Sequence, residues 1–197
     1  MTSATGPGWE LRCGRYQDVL GDVVADCVVA DPPYSDRTHV GRRTGSEIRQ
    51  SGIKYDPWSE ADCTELGAFV GRINPIFALV FCDHALRPHH AAAMGAAGRY
   101  VFGPVRWVKT DAAPRMCGDG PTVSTEDILV CRRSAQLPAD LRGSRPGHYV
   151  CASTNHGNTR NYDGKAFPGS KPLGLMRALI RDYTRLGDLV CDPCAGA

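Results

Sequence analysis

No apolar run in this 197-residue chain approaches the roughly 18 to 20 residues that a membrane helix needs. Its opening residues, MTSATGPGWELR, have neither the basic start nor the apolar middle of a secretory signal, so a cytoplasmic protein is expected. Net charge is also scarce. The 23 Lys and Arg against 21 Asp and Glu leave +2, and any site for a polyanion must therefore come from local clustering. There is no internal repeat at a period of roughly 20 to 50 residues and no low-complexity block, which excludes solenoids and propellers.

A disulfide framework is missing too. The nine cysteines, at 13, 27, 63, 82, 117, 131, 151, 191 and 194, are odd in number and scattered, unlike those of a small secreted scaffold. Most are expected to be reduced and buried. Cys191 and Cys194 have the spacing of a zinc half-site or redox dithiol, but no second such pair exists, so no metal is expected.

What is present is enough apolar residue, 42%, for one core, and one domain over residues 1–197 is expected. Short continuous apolar strands alternate with helical patterns. Cys27 to Ala30, 76 to 81 (IFALVF), 99 to 109 (RYVFGPVRWVK), 127 to 131 (DILVC) and 189 to 191 read as five strands. Ser59 to Arg72, 86 to 98 and a stretch opening at Ser170 read as helices, with Ser170 as cap and Pro172 in the first turn. This is the rhythm of an open α/β sheet, mostly parallel and flanked by helices.

In such sheets ligands sit at the carboxyl ends of the strands. Two Asp-Pro signals fall there. The first is Asp31-Pro32-Pro33-Tyr34, where neither proline can donate a backbone hydrogen bond and a rigid carbonyl acceptor stands beside the Asp31 carboxylate. Such a pair suits an amino group with two N–H donors. Tyr34 adds a flat face for a planar heterocycle, and the constellation reads as a receptor for the exocyclic amine of a nucleobase. The second signal is Asp192-Pro193-Cys194-Ala195-Gly196, a small-residue loop after the last strand. Asp31 would otherwise be an ordinary turn acid, and Gly196 an ordinary left-handed turn.

These motifs resemble the amino-methyltransferases of DNA, which move a methyl group from S-adenosylmethionine to adenine N6 or cytosine N4. Asp31 to Tyr34 matches that family's catalytic tetrapeptide, Lys171-Pro172 its helix entrance, and 189 to 197 its cofactor loop, with Cys194 in the aromatic position. The order of motifs is that of the β class. The resemblance covers about Trp9 to Ala197 and implies a Rossmann-like methyltransferase sheet, incomplete at its C-terminal edge. It implies catalytic roles for Asp31, Pro32, Pro33 and Tyr34, and cofactor contacts for Asp192, Pro193, Cys194, Ala195, Gly196, Lys171 and Pro172. The CxxC spacing then belongs to the cofactor loop. Aspartate at the first catalytic position is usual in adenine-N6 enzymes of the family, and adenine is the expected target.

DNA is the implied partner. The segment leaving the catalytic motif carries Arg37, Arg42, Arg43, Arg49 and Lys54, a candidate phosphate-contacting loop whose alternative is a solvated surface. Arg132, Arg133, Arg142 and Arg145 form a second cluster. The family's Gly-x-Thr, its next helix and the following acid-ended strand do not occur before Ala197. The 197 residues are accordingly expected to bind cofactor weakly and to self-associate, as in a homodimer, through the edge at 189 to 191. Two alternatives stand beside the adenine enzyme: a cytosine-N4 enzyme and a non-catalytic nucleic-acid-binding remnant. A protein-glutamine methyltransferase is disfavoured by Asp31 and by the motif order.

Overall fold

The computed structural model describes residues 3–36, 56–112, 114, 120–133, 136–153 and 170–195. Within them one seven-stranded sheet has the order β8-β6-β7-β4-β3-β9, with β5 also pairing with β7. Its strands are β3 (Cys27–Ala30), β4 (Phe77–Cys82), β5 (Arg99–Val101), β6 (Val105–Lys109), β7 (Thr125–Arg133), β8 (His148–Cys151) and β9 (Val190–Cys191). The pairings β3·β4, β3·β9 and β6·β8 are parallel, whereas every partner of β7 meets it antiparallel. The sheet is thus parallel except for β7, which runs against its companions and is the antiparallel element that the expected βαβ rhythm lacks.

Burial follows position in that order. Central β3 and β4 are buried at every residue, which is why their sequences are unbroken apolar runs and not alternating ones. Two apolar layers cover the sheet. On one face Leu66, Phe69 and Val70 pack with Val28, Val80 and Met94; on the other Leu175, Leu179 and Tyr183 pack with Val29, Leu79 and Phe81.

The first face is covered by α2 (Glu60–Ile73) and α3 (Arg87–Ala96), the second by α4 (Leu173–Tyr183). The Ser59 N–H donates to Asp62 Oδ2 at 2.7 Å and starts α2; left-handed Asn74 ends it. Gly67 lets α2 and α3 approach closely: a Cβ there would stand 2.8 Å from the Ala93 Cβ and carbonyl oxygen.

Several boundaries differ from the sequence reading. The stretch 99 to 109 forms two strands, because Phe102 to Pro104 interrupt the ladder where Pro104 has no N–H to donate. Both halves face β7, and the four steps from Val101 to Val105 match three from Cys131 to Ile128, so the break acts as a bulge. Pro172, with φ −57° and ψ 130°, takes the N-cap position of α4 in place of Ser170. The N-terminal hairpin β1 (Ser3–Gly6) with β2 (Trp9–Arg12), the one-turn α1 (Tyr16–Val19) and β8 had no sequence-level counterpart. No helix among the described residues is long and apolar enough to cross a membrane.

Candidate active site

Strand direction gathers the site. The carboxyl ends of β3, β4, β6 and β9 share one edge of the sheet with the amino end of β7, because β7 is reversed: Cys82 lies opposite Asp127, and Val108 opposite Thr125. At that edge stand Asp31, Asp83, Lys109 and Asp192, each at or just past a strand's end, together with Glu126. Lys171, two residues before α4, enters from above them.

The side chains form a chain of alternating charge. Lys171 Nζ donates to Asp31 Oδ1 at 2.8 Å and to the Tyr34 hydroxyl at 3.0 Å, and lies 3.3 Å from Glu126 Oε2. The Tyr34 hydroxyl donates to Glu126 Oε2 at 2.9 Å, and Lys109 Nζ donates to Glu126 Oε1 at 2.6 Å. The Lys171 ammonium also sits 5.1 Å from the Tyr34 ring centre and 4.9 Å from that of Phe81. Most of these groups are withdrawn from water: side-chain exposure is 10% for Lys171, 17% for Glu126 and 28% for Asp31.

Withdrawal from water sets the proton affinities. Burial raises Asp31 above the usual carboxylate range; Lys171 opposes this and the charge of Glu126 adds to it. Burial works in the same direction on Glu126, but Lys171 and Lys109 outweigh it and hold that carboxyl below its ordinary value. Lys171 is disfavoured by burial yet ends above its usual value, because Asp31 and Glu126 both hold the proton in place. Burial and the charges of Glu126 and Asp31 keep the Tyr34 phenol protonated.

Among the described residues one oxygen of Asp31 remains open. Its Oδ1 takes Lys171, with the Tyr34 hydroxyl at 3.5 Å, whereas Oδ2 has no partner among the described residues. Across the mouth, Asp192 accepts the Cys194 N–H on Oδ1 at 2.8 Å. Although Asp192 keeps an exposed surface, crowding by the surrounding protein pushes its carboxyl up to about 6; the Cys194 N–H opposes this and the charge of Asp31 contributes. Burial and the same two acids raise the Cys194 thiol, so it is neutral.

The tetrapeptide Asp31 to Tyr34 is also fastened from behind. Asp83 accepts the Ser35 N–H at 3.0 Å, the Ser35 hydroxyl, and the Leu86 N–H at 2.9 Å, and so pins the residue that follows Tyr34. The Trp58 N–H donates to the Tyr34 carbonyl at 3.2 Å, so the chain returns to the motif just before α2. Arg37, Arg42, Arg43, Arg49, Lys54 and Gly196 lie outside the described residues.

The structure therefore brings Asp31 to Tyr34, Lys171-Pro172 and Asp192 to Ala195 to one mouth. It places the second arginine cluster elsewhere. Arg132 and Arg133 lie at the opposite end of the sheet, beside Phe77, and Arg142 and Arg145 donate to the carbonyls of Leu137 and of Asp182 and Leu141. Glu126, Lys109 and Asp83 were absent from the sequence reading. Asp83 was findable, since it follows a buried strand just as Asp31 does; Glu126 was not, because its place depends on the reversal of β7.

Comparison with known proteins agrees with this architecture. The family of N6/N4 DNA methylases matches residues 25–197. The type II methyltransferase M.Cfr9I of Citrobacter freundii is 29% identical over 111 residues, which span 54% of this chain and 37% of that protein. The chain thus spans about a third of that relative's length. Among solved structures, the M1.HpyAVI–SAM complex superposes with a TM-score of 0.59 at 19% identity, over 90% of this chain and 74% of that one. The cytosine-N4-specific PvuII DNA methyltransferase superposes with a TM-score of 0.60 at 13% identity, over 91% and 71%. With the family matched over most of its length and the fold shared with these structures, the chain belongs to the N6/N4 family of DNA methylases.

Proposed function

We propose that this chain carries the catalytic core of an S-adenosylmethionine-dependent DNA methyltransferase that modifies the exocyclic amine of an extruded base, adenine N6. The observation that carries this is the open Oδ2 of Asp31. It is an ionisable acceptor at a strand's end, beside two prolines that donate nothing, held by a buried lysine on its other oxygen only.

The residues fit the methyl donor. S-adenosylmethionine is a sulfonium cation, and the mouth presents Asp31 and Asp192, two acids of which the first raises the proton affinity of the second, a repulsion that a positive charge would relieve. Asp192, Pro193, Cys194 and Ala195 would hold it, together with the Gly196, Lys171 and Pro172 that the family resemblance assigns to the cofactor. When bound, it supplies an electrophilic methyl group.

The chain's own residues receive the base. An amino nitrogen inside a duplex is out of reach of a pocket, so the base must be turned out of the stack. Asp31 Oδ2 and the Pro32 carbonyl accept its two N–H groups and draw the nitrogen lone pair out of conjugation with the ring. Tyr34 offers its ring for stacking, with its plane fixed by the bonds of its hydroxyl to Glu126 and Lys171. Placement and fixed dipoles then lower the barrier, with no covalent enzyme intermediate. Arg37, Arg42, Arg43, Arg49 and Lys54, which follow the tetrapeptide in sequence, are assigned to phosphate contacts.

The cytosine-N4-specific structural neighbour favours a second reading, cytosine N4. One experiment separates the two. The protein is incubated with DNA and tritiated methyl donor, the DNA is digested, and the nucleosides are separated. Label in N6-methyladenine is expected, label in N4-methylcytosine would select the second reading, and no labelled base would refute both.

A further inference from the structure

Glu126 neither faces the methyl donor loop nor offers an open oxygen to a base, yet it collects three donors. Lys109 occupies Oε1, and the Tyr34 hydroxyl and Lys171 share Oε2. Lys171 in turn has three N–H groups and three acceptors: Asp31 Oδ1, the Tyr34 oxygen and Glu126 Oε2. A buried ammonium with Asp31 as its only partner would settle between both carboxylate oxygens, because that geometry maximises its charge-assisted hydrogen bonds. Here two of its three donors are taken by the Tyr34 oxygen and by Glu126 of β7, and it meets Asp31 at one oxygen.

We propose that Glu126 is a positioning residue for the target amine: together with Tyr34 it tethers Lys171, so that the ammonium occupies Asp31 Oδ1 alone and leaves Oδ2 open. The proposal rests on the reading of Asp31 as the amine acceptor and adds the device that keeps that acceptor available. Among the described residues, the charged and titratable groups facing Asp31 are Lys171 from the segment entering α4, Glu126 from β7, Tyr34 from its own segment, and Asp192 and Cys194 from the loop after β9. Lys109 on β6 acts one step removed, through Glu126 Oε1.

The test follows the Asp31 carboxyl directly, by carbon NMR titration of protein labelled at the aspartate side-chain carboxyl, alongside methyl transfer. In Glu126→Gln the repulsion from Glu126 is gone and Lys171 turns wholly to Asp31. The Asp31 midpoint should fall, the acid limb of the rate profile should move to lower pH, and kcat/KM should drop about tenfold or more as the ammonium covers Oδ2. In Lys171→Met the midpoint should instead rise. The double variant should lose less than the product of the two single losses, because no ammonium remains to be misplaced.

An unchanged Asp31 midpoint in Glu126→Gln, or strictly multiplicative losses, would overturn the tether. If Glu126→Gln fails to fold, Glu126→Asp, with its carboxylate drawn back by one methylene, should weaken the tether and lower kcat/KM in the same direction; wild-type kcat/KM there would count against it. Full transfer by Asp31→Asn would sink the amine-acceptor reading instead, while the carboxyl titrations of the other variants would still report on the tether.

Discussion

The two ends of the sheet bury charge in different ways. At the end away from the mouth, Arg99 donates to the carbonyls of Pro75 at 2.6 Å and Ile76 at 3.3 Å and to Asn74 Oδ1 at 3.0 Å. Arg145 donates to the carbonyls of Asp182 and Leu141 and lies over the rings of Phe77 and Tyr183. All of these acceptors except Asn74 Oδ1 are main chain, fixed by the fold. At the mouth, Asp31, Lys171, Glu126 and Lys109 satisfy one another, side chain to side chain. Charge bound to backbone holds the fold; charge bound to other movable charge can be redistributed when a ligand arrives.

Lys171→Met should have the largest effect, because it leaves the half-buried Asp31 carboxylate without a cation and Glu126 with Lys109 as its remaining lysine partner. A loss on the order of 3 kcal/mol is expected at neutral pH. Its pH dependence has a definite sign. Asp31, already above its ordinary value, rises further, so the folded state binds more protons than the unfolded one over the acid range. The deficit should therefore be small where Asp31 is protonated in both states and grow as pH rises, and a deficit independent of pH in urea titrations would contradict the arrangement.

Arg99→Met tests the other end. It leaves two carbonyls without a charged donor and should cost about 2 kcal/mol in urea unfolding while the transfer rate per folded molecule stays the same. Should the rate fall with the stability, the two ends would not be separable. Tyr34→Phe removes two hydrogen bonds with charged partners, one donated to Glu126 and one accepted from Lys171, with an expected cost of about 2 kcal/mol and a partial loss of rate; Tyr34→Ala, which also removes the ring, should lose far more. Equal losses would make the hydroxyl the working part.

A smaller effect is expected in cofactor affinity. A cation stabilises ionised Asp192, whose carboxyl is raised to about 6, so binding should release protons and strengthen as pH rises through about 6. Affinity in calorimetry that stays flat between pH 5 and 7 would remove Asp192 from the site. Arg185→Gln should change least. Its partner Asp140 is exposed, where such a pair contributes about 0.5 kcal/mol or less, and the more buried Asp188 keeps the Arg185 N–H as a donor.

Much of this was legible in the sequence, for identifiable reasons. Strands β3 and β4 are buried on both faces, so their apolar runs were unambiguous. Asp31 and Asp192 announced themselves by following such runs, and Lys171 came from the family resemblance. The direction of β7 was not legible, because an apolar strand reads alike either way along the chain. With that direction hidden, nothing in the sequence joined Glu126 to Asp31 or to Lys171. For the same reason Arg132 and Arg133 passed as a nucleic-acid surface, although pairing across β4 puts them at the far end. Pro104 could have warned that 99 to 109 was broken, since a proline inside a strand pattern marks a bulge or an edge.

The most direct measurement compares wild type with Asp31→Asn in single-turnover transfer of a tritiated methyl group to adenine-containing DNA at neutral pH. The amide keeps the shape of the carboxylate and removes its charge. The expected result is a loss of roughly a hundredfold to a thousandfold in rate, with DNA binding retained and the melting temperature no lower. Transfer at the wild-type rate would contradict the assignment of the open Asp31 oxygen as the receptor of the amine.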